Sequence, residues 1–233
     1  MARVCILLIV VLPFYCYGQK GRLSDVTHQH LFDTLPFLET HYDRMTELFN
    51  TQEPVEGVMV FLGNSITEGG DWAKLTGNDK VLNRGIGGDI TFGVLRRLDE
   101  VIRHAPTKVF ILIGINDIAK DIPPEVIAHN CGEIISRIKH SSPGTVIYLQ
   151  SILPVNPTVR GFPQHYDKAN AIVRTNLLLA EVAKSQNVNF LDLYPLFLDK
   201  HQHLDEHLTN DGLHLNATGY QRWADFLKAL KAI

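Results

Sequence analysis

Gly57-Val58-Met59-Val60-Phe61-Leu62 is an unbroken apolar run, closed by the polar turn Gly63-Asn64-Ser65-Ile66-Thr67. A run this short and apolar at every position is the pattern of a strand covered on both faces. The pattern recurs along the chain. Val109-Phe110-Ile111-Leu112-Ile113 ends at Gly114, Thr145–Leu149 follows the breaker Pro143-Gly144, Val188–Leu191 makes a fourth strand, and Val81-Leu82 a weaker fifth. Between these runs the period changes. Val94, Leu95, Leu98, Val101 and Ile102 fall on one helical face, as do Ile127, Cys131, Ile134, Ile135 and Ile138. Residues 168–184 and 217–231 are similarly periodic, the latter through Tyr220, Trp223, Leu227 and Leu230, and residues 28–50 read as one or two further helices. Apolar strands alternating with amphipathic helices predict a three-layer α/β/α sandwich around a central, mostly parallel five-stranded sheet.

Composition agrees with a folded domain and narrows its partners. Of 233 residues, 45% are apolar and 20% charged, which excludes wholesale disorder. Lys and Arg number 22 against 25 Asp and Glu, with no basic block, so there is no electrostatic footprint for nucleic acid. The N-terminus has its own signature: Arg3, the apolar run Val4 to Tyr15, and small Gly18 before Gln19. That is the form of a secretory signal, which predicts cleavage near Gly18 and a secreted or periplasmic protein. The run falls short of the about 20 residues that span a membrane, so no stable membrane insertion is expected. Cys16 raises a lipid anchor, but bulky Tyr15 precedes it where a small residue is expected. Residues 19–233 carry neither an internal repeat nor a Pro/Gly/Ser linker and read as one domain. Once Cys5 and Cys16 leave with the signal, Cys131 has no partner for a disulfide.

In a parallel sheet, ligands bind beyond the carboxyl ends of the strands, and the polar motifs fall there. Asn64-Ser65 follows the first strand, Asn83-Arg84-Gly85-Ile86-Gly87-Gly88-Asp89 the second, and Gly114-Ile115-Asn116-Asp117 the third. Asp211-Gly212-Leu213-His214 stands just ahead of the last helix. A serine can supply a nucleophile, a histidine can remove its proton, and an aspartate can orient that histidine. The glycine-rich turn and Asn116 can supply hydrogen-bond donors to an oxyanion.

These four blocks, in this order, resemble the SGNH hydrolases, the group that includes the GDSL esterases and lipases. Asn83 to Thr91, with the helix carrying Leu95 and Leu98, is most similar to the acetylhydrolase-like branch, which includes platelet-activating-factor acetylhydrolase catalytic subunits and sialate-type acetylesterases. The resemblance implies Ser65 as nucleophile, His214 as general base and Asp211 as its partner. It implies an oxyanion hole made by Ser65, Gly88 and Asn116. Asn64 stands where the family usually has Asp; with Asp89 and Asp117 it is expected to support the site rather than react. No cofactor and no metal are implied.

Blander readings compete with each motif. A serine after a strand is often only a turn or cap residue, and the glycines can form a plain turn, since their spacing matches neither G-x-G-x-x-G nor a P-loop. His201, His203 and His207 with Asp205 and Glu206 have the composition of a zinc site, with His203 and His207 on one face were the segment helical, but H-E-x-x-H is absent. Asn216-Ala217-Thr218 fits a glycosylation acceptor, although its place at a helix start favours capping. The resulting expectation is a secreted serine esterase for short-chain, chiefly acetyl, oxygen esters, with small-molecule or glycan ester substrates such as O-acetylated sialate. A lipid-directed acylhydrolase and a carbohydrate-binding module with a dead site are the alternatives, and the natural alcohol and oligomeric state stay open.

Overall fold

The computed structural model describes residues 36–159 and 161–233; the expected signal at residues 1–18 and the start of the expected helical region at 28–35 lie outside the described residues. Five strands form one sheet: β1 (Met59–Gly63), β2 (Val81–Gly85), β3 (Lys108–Leu112), β4 (Val146–Gln150) and β5 (Asn189–Leu191). All pairs are parallel and the order is β2-β1-β3-β4-β5. The sheet is therefore wholly parallel where the sequence predicts mostly parallel. Among the described residues the four long helices are α1 (Pro36–Thr51), α2 (Pro124–Ser141), α3 (Ala169–Ser185) and α4 (Ala217–Ala229).

The strand order also fixes the layers. The chain steps one way from β1 to β2 and the other way through β3, β4 and β5. Right-handed crossovers then place the helices after β1 on one face and those after β2, β3 and β4 on the other. On the first face, Phe61, Phe110 and Tyr148 occupy one register row across β1, β3 and β4. Their rings stack in sequence, 4.7 and 4.6 Å apart, and Trp72 stacks on Phe61 at 3.7 Å. Trp223 of α4 meets Trp72 edge-on at 4.7 Å and donates its indole N–H to Gln150 Oε1. Buried Ile127, Cys131, Ile134, Ile135 and Ile138 form the apolar stripe of α2, as their spacing predicts.

The predicted helical face through Val94 and Ile102 is interrupted. Thr91–Arg96 and Leu98–Ile102 are two short helices that meet at Arg97, whose backbone (φ −103°, ψ 8°) leaves helical geometry. The side chain accounts for the break, because Arg97 turns inward instead of towards water. It pairs with the Asp89 carboxylate at 2.9 Å and donates to the carbonyls of Gly63 (3.1 Å) and Arg84 (2.9 Å). Both side chains of the pair are about 1% exposed. One guanidinium therefore ties the ends of β1 and β2 to the turn that follows β2.

A second buried carboxylate lies next to this pair. Asp117 accepts from the Thr91 N–H and, at 2.6 Å, from the Thr91 hydroxyl, which in turn accepts from Asn130 of α2. Burial pushes its carboxyl up to about 7, against the pull of the Thr91 hydrogen bonds.

Two outcomes follow. Arg97→Met leaves the Asp89 carboxyl buried without its cation, a change that typically costs about 3–5 kcal/mol; thermal unfolding should shift down by on the order of 10 °C for a domain of this size. An unchanged melting temperature would show that the pair holds nothing together. For Asp117, a carboxyl raised in the fold contributes its stability below the unfolded value and loses it as pH rises through the folded one. Between the ordinary 3.8 and about 7, native stability should decline on this account, and Asp117→Asn should gain relative to the native protein as pH rises. Melting curves of both proteins across that range read the difference directly.

Candidate active site

Strand order 2-1-3-4-5 reverses direction at β1 and β3, and the crevice beyond that reversal is where such sheets bind ligands. Three predicted motifs leave the sheet there. Ser65 opens a one-turn helix, Ser65–Glu68, capped by Asn64, whose Oδ1 accepts from the Ile66 N–H at 3.0 Å. Asn64 is fully buried, as its expected supporting place requires, and its Nδ2 has no partner within the described structure. Because the first bond of this turn runs from Glu68 N–H to the Asn64 carbonyl, the Ser65 N–H stays outside the helical ladder.

The loop after β2 is a tight turn in which Asp89 N–H bonds the Ile86 carbonyl at 3.1 Å. Gly88 sits in it at φ +77°, a conformation that suits glycine and strains other residues. Asn116 comes from the helix Ile115–Ala119 that follows β3, and its Nδ2 donates to the Asp89 carbonyl at 3.0 Å. The side chain of the third motif is thus bound to the backbone of the second, one residue beyond Gly88.

The fourth motif arrives from the far end of the chain. His214 Nε2 lies 2.9 Å from Ser65 Oγ, and His214 Nδ1 lies 2.7 Å from Asp211 Oδ2. The other oxygen of Asp211 accepts the backbone N–H groups of Leu213 (2.9 Å) and His214 (2.7 Å), so one carboxylate shapes the loop and aims the ring. Gly212 (φ +82°) makes that loop possible, since a Cβ there would press 2.5 Å from the Asn156 carbonyl. Burial alone would raise the Asp211 carboxyl; hydrogen bonds from the His214 side chain and the two N–H groups outweigh it and hold the group below the usual carboxylate range. Asp211 is therefore charged at neutral pH, next to a ring that can become positive. A histidine between a serine hydroxyl and a carboxylate can take the hydroxyl proton as the oxygen attacks a carbonyl. Asp89 and Asp117 lie away from this line and make the structural bonds already described.

The structure also brings in residues that no sequence motif marked. Phe162 sets its ring edge-on to His214 at 4.9 Å and to His165 at 6.0 Å. His165, 4% exposed, places Nε2 3.2 Å from Asn116 Oδ1. Both belong to the proline-containing segment after β4, where Tyr166 gathers the Gly161 and Phe162 N–H groups on its hydroxyl. Tyr220 of α4 donates to the Ile66 carbonyl at 2.8 Å and braces the serine turn from behind.

Two other readings resolve by placement. His203 and His207 share no helix: His203 precedes the Leu204–Leu198 bridge and His207 sits in the short turn Glu206–Leu208. Asp199 and Asp205 accept neighbouring backbone N–H groups, and among the described residues no group of three or more His, Cys, Asp or Glu is arranged to hold a metal. Asn216 caps α4 by accepting from the Gly219 N–H at 3.0 Å. Cys131 is a free, buried thiol.

Comparison with known proteins finds relatives among ester hydrolases. The chain is 33% identical to an arylesterase of Vibrio mimicus over 135 residues, which span 58% of this chain and 60% of that enzyme. It is 27% identical to platelet-activating factor acetylhydrolase IB subunit alpha1 of Homo sapiens over 171 residues, 71% of each chain. A solved protein of Streptococcus pneumoniae superposes with a TM-score of 0.76 at 32% identity, covering 89% of this chain and 99% of that one. Residues 61–222, which run from inside β1 to inside α4 and take in Ser65, Gly88, Asn116, Asp211 and His214, match the model of one family, and the chain belongs to that family: the GDSL-like lipase/acylhydrolases, or SGNH hydrolases.

Proposed function

We propose that this esterase of the GDSL family works through Ser65, His214 and Asp211, and removes short acyl groups, acetyl foremost, from oxygen esters. The observation that carries the proposal is the unbroken hydrogen-bonded line from Ser65 Oγ through the His214 ring to Asp211. Ser65 Oγ attacks the ester carbonyl carbon while His214 Nε2 accepts its proton. The carbonyl oxygen, now negative, is received by the N–H groups of Ser65 and Gly88 and by the Asn116 amide. The C–O bond to the alcohol breaks, and His214 returns the proton to the departing oxygen. Water then repeats the attack on the acyl-serine, with His214 again as base, and the acid leaves. The residues complete this cycle without a cofactor.

O-acetylated carbohydrates, sialate among them, are the favoured substrates. Support for acetyl comes from the acetylhydrolase relative, named for the acetyl group, and from Phe162, whose bulk beside His214 favours a short acyl chain. Support for export comes from the apolar run at residues 4–15, and an extracellular enzyme would meet glycan esters. The acetylhydrolase relative also keeps a lipid ester in view as the second reading. A panel of acetyl, butyryl and octanoyl esters with O-acetylated sugars separates the two: the proposal expects acetyl esters and acetylated sugars to be turned over best, and a strong octanoyl preference with sugars ignored would overturn it.

Variants test the machinery. Ser65→Ala should lower kcat by several orders of magnitude and abolish the acyl-enzyme, and His214→Ala should be about as damaging. The double variant should be no slower than either, because residues acting as a unit do not lose independently. Asn116→Ala removes one of three donors; its kcat should fall by about 10²–10³ with KM little changed, leaving it faster than Ser65→Ala. A near-normal kcat with a lowered melting temperature would make Asn116 a loop residue only.

A further inference from the structure

We propose that His165 is a positioning residue, holding the Asn116 amide in the orientation that offers its N–H to the oxyanion. The inference rests on the reading of Asn116 as an oxyanion donor and adds a residue that no motif supplied. An asparagine amide has two ends, and rotating it by half a turn exchanges donor for acceptor. In the catalytic orientation Asn116 Nδ2 donates to the Asp89 carbonyl at 3.0 Å, which occupies one of its two hydrogens and leaves the second for substrate. The reversed amide would set Oδ1 against that carbonyl, oxygen to oxygen. His165 guards the other end: its Nε2 lies 3.2 Å from Oδ1, and both residues are buried.

The contact also settles the state of the ring. Asn116 presents an oxygen, so Nε2 must carry the hydrogen, and His165 Nδ1 is buried without a partner. A second proton would therefore enter a site that offers Nδ1 no acceptor. Burial, and next the charge of nearby His214, push His165 down to about 4, so it stays neutral while His214 takes up the serine proton. Two histidines at one site are thereby given separate tasks, one as a neutral donor with a fixed tautomer and the other as the proton carrier. Accepting a hydrogen bond at Oδ1 also polarises the amide and strengthens the N–H at its other end.

Phe162 and Tyr166 keep the ring in reach. Phe162 packs edge-on against both histidines, and Tyr166 locks the turn before it by accepting the N–H groups of Gly161 and Phe162 and donating to the Val159 carbonyl. The segment after β4 thus braces the oxyanion donor through His165 and the base through Phe162.

The test is a double-variant cycle on the full chain with an acetyl ester, together with the nitrogen spectrum of the ring. His165→Leu removes the donor; its kcat should fall by about 10–100-fold, less than the loss of Asn116 itself, with KM within a few-fold. His165→Gln restores an N–H near the Nε2 position and should recover most of that loss. In an Asn116→Ala background, His165→Leu should cost little more, because the group it positions is gone. An equal loss in both backgrounds, or no loss in either, would overturn the proposal. Should the leucine variant fail to fold, long-range proton–nitrogen spectra of the native protein decide: a His165 protonated on Nε2 supports the proposal, and one protonated on Nδ1 refutes it. A Ser65→Ala enzyme that still turns over would defeat the catalytic reading instead, a result separable from the histidine tautomer.

Discussion

The site depends on the buried guanidinium of Arg97. Its neighbours are the Asp89 carboxylate and two main-chain carbonyls, those of Gly63, which ends β1, and Arg84, the penultimate residue of β2. Ser65 stands two residues after Gly63, and Gly88 immediately precedes Asp89. Asn116 is in turn bound to the Asp89 carbonyl. The three proposed oxyanion donors are therefore located by one cation that never touches substrate. A buried ion pair adds little net stability against an apolar alternative. Its value here is directional, since Nε and Nη2, fixed in one plane, set the spacing of one carboxylate and two carbonyls at once.

The distribution of charge follows from solvent access. Asp211 is about a third exposed and satisfied by three N–H groups, which keeps it ionised. Asp117 has no cation within its hydrogen-bonded shell and is driven towards its neutral form by burial. The same residue type thus serves as a partner for an imidazolium in one place and as a mortar of hydrogen bonds in another. The environment, not the residue, decides between them.

Much of this was legible in the chain itself. Apolar runs such as Val109–Ile113, bounded by turn residues and rich in β-branched side chains, read as buried strands; polar blocks after three of the strands and one ahead of the last helix marked the segments that carry Ser65, Asn116 and the Asp211–His214 pair, whereas the place given to Gly88 came from the family resemblance. The break at Arg97 was less visible, because periodicity treats a helix as continuous, although a charge at position 97 between Val94, Leu98 and Val101 did lie on the apolar face. For His165 only the place of its segment, residues 151–167 after the fourth strand, pointed towards the site; nothing marked the residue itself. It sits in an irregular segment where neither period nor spacing constrains direction, and only the packing of that segment against the helix at Ile115–Ala119 brings it to Asn116. The Asn64 cap was expected as support; its unpartnered Nδ2 became apparent only from the buried environment around it.

Ser65 and His214 are separated by 149 positions, and Tyr220 and Trp223 bind the final helix to the serine turn and to Trp72. Closing so long a loop is slow and comes after local structure has formed. On the proposed mechanism the chain stays inert until that loop closes: strands and their helices can assemble while Ser65 still lacks His214. On the proposed mechanism, a polypeptide emerging from the ribosome would hydrolyse nothing until the loop carrying Asp211 and His214 had docked against the serine turn. Regain of esterase turnover during refolding is then a reporter of completion, blind to every earlier intermediate.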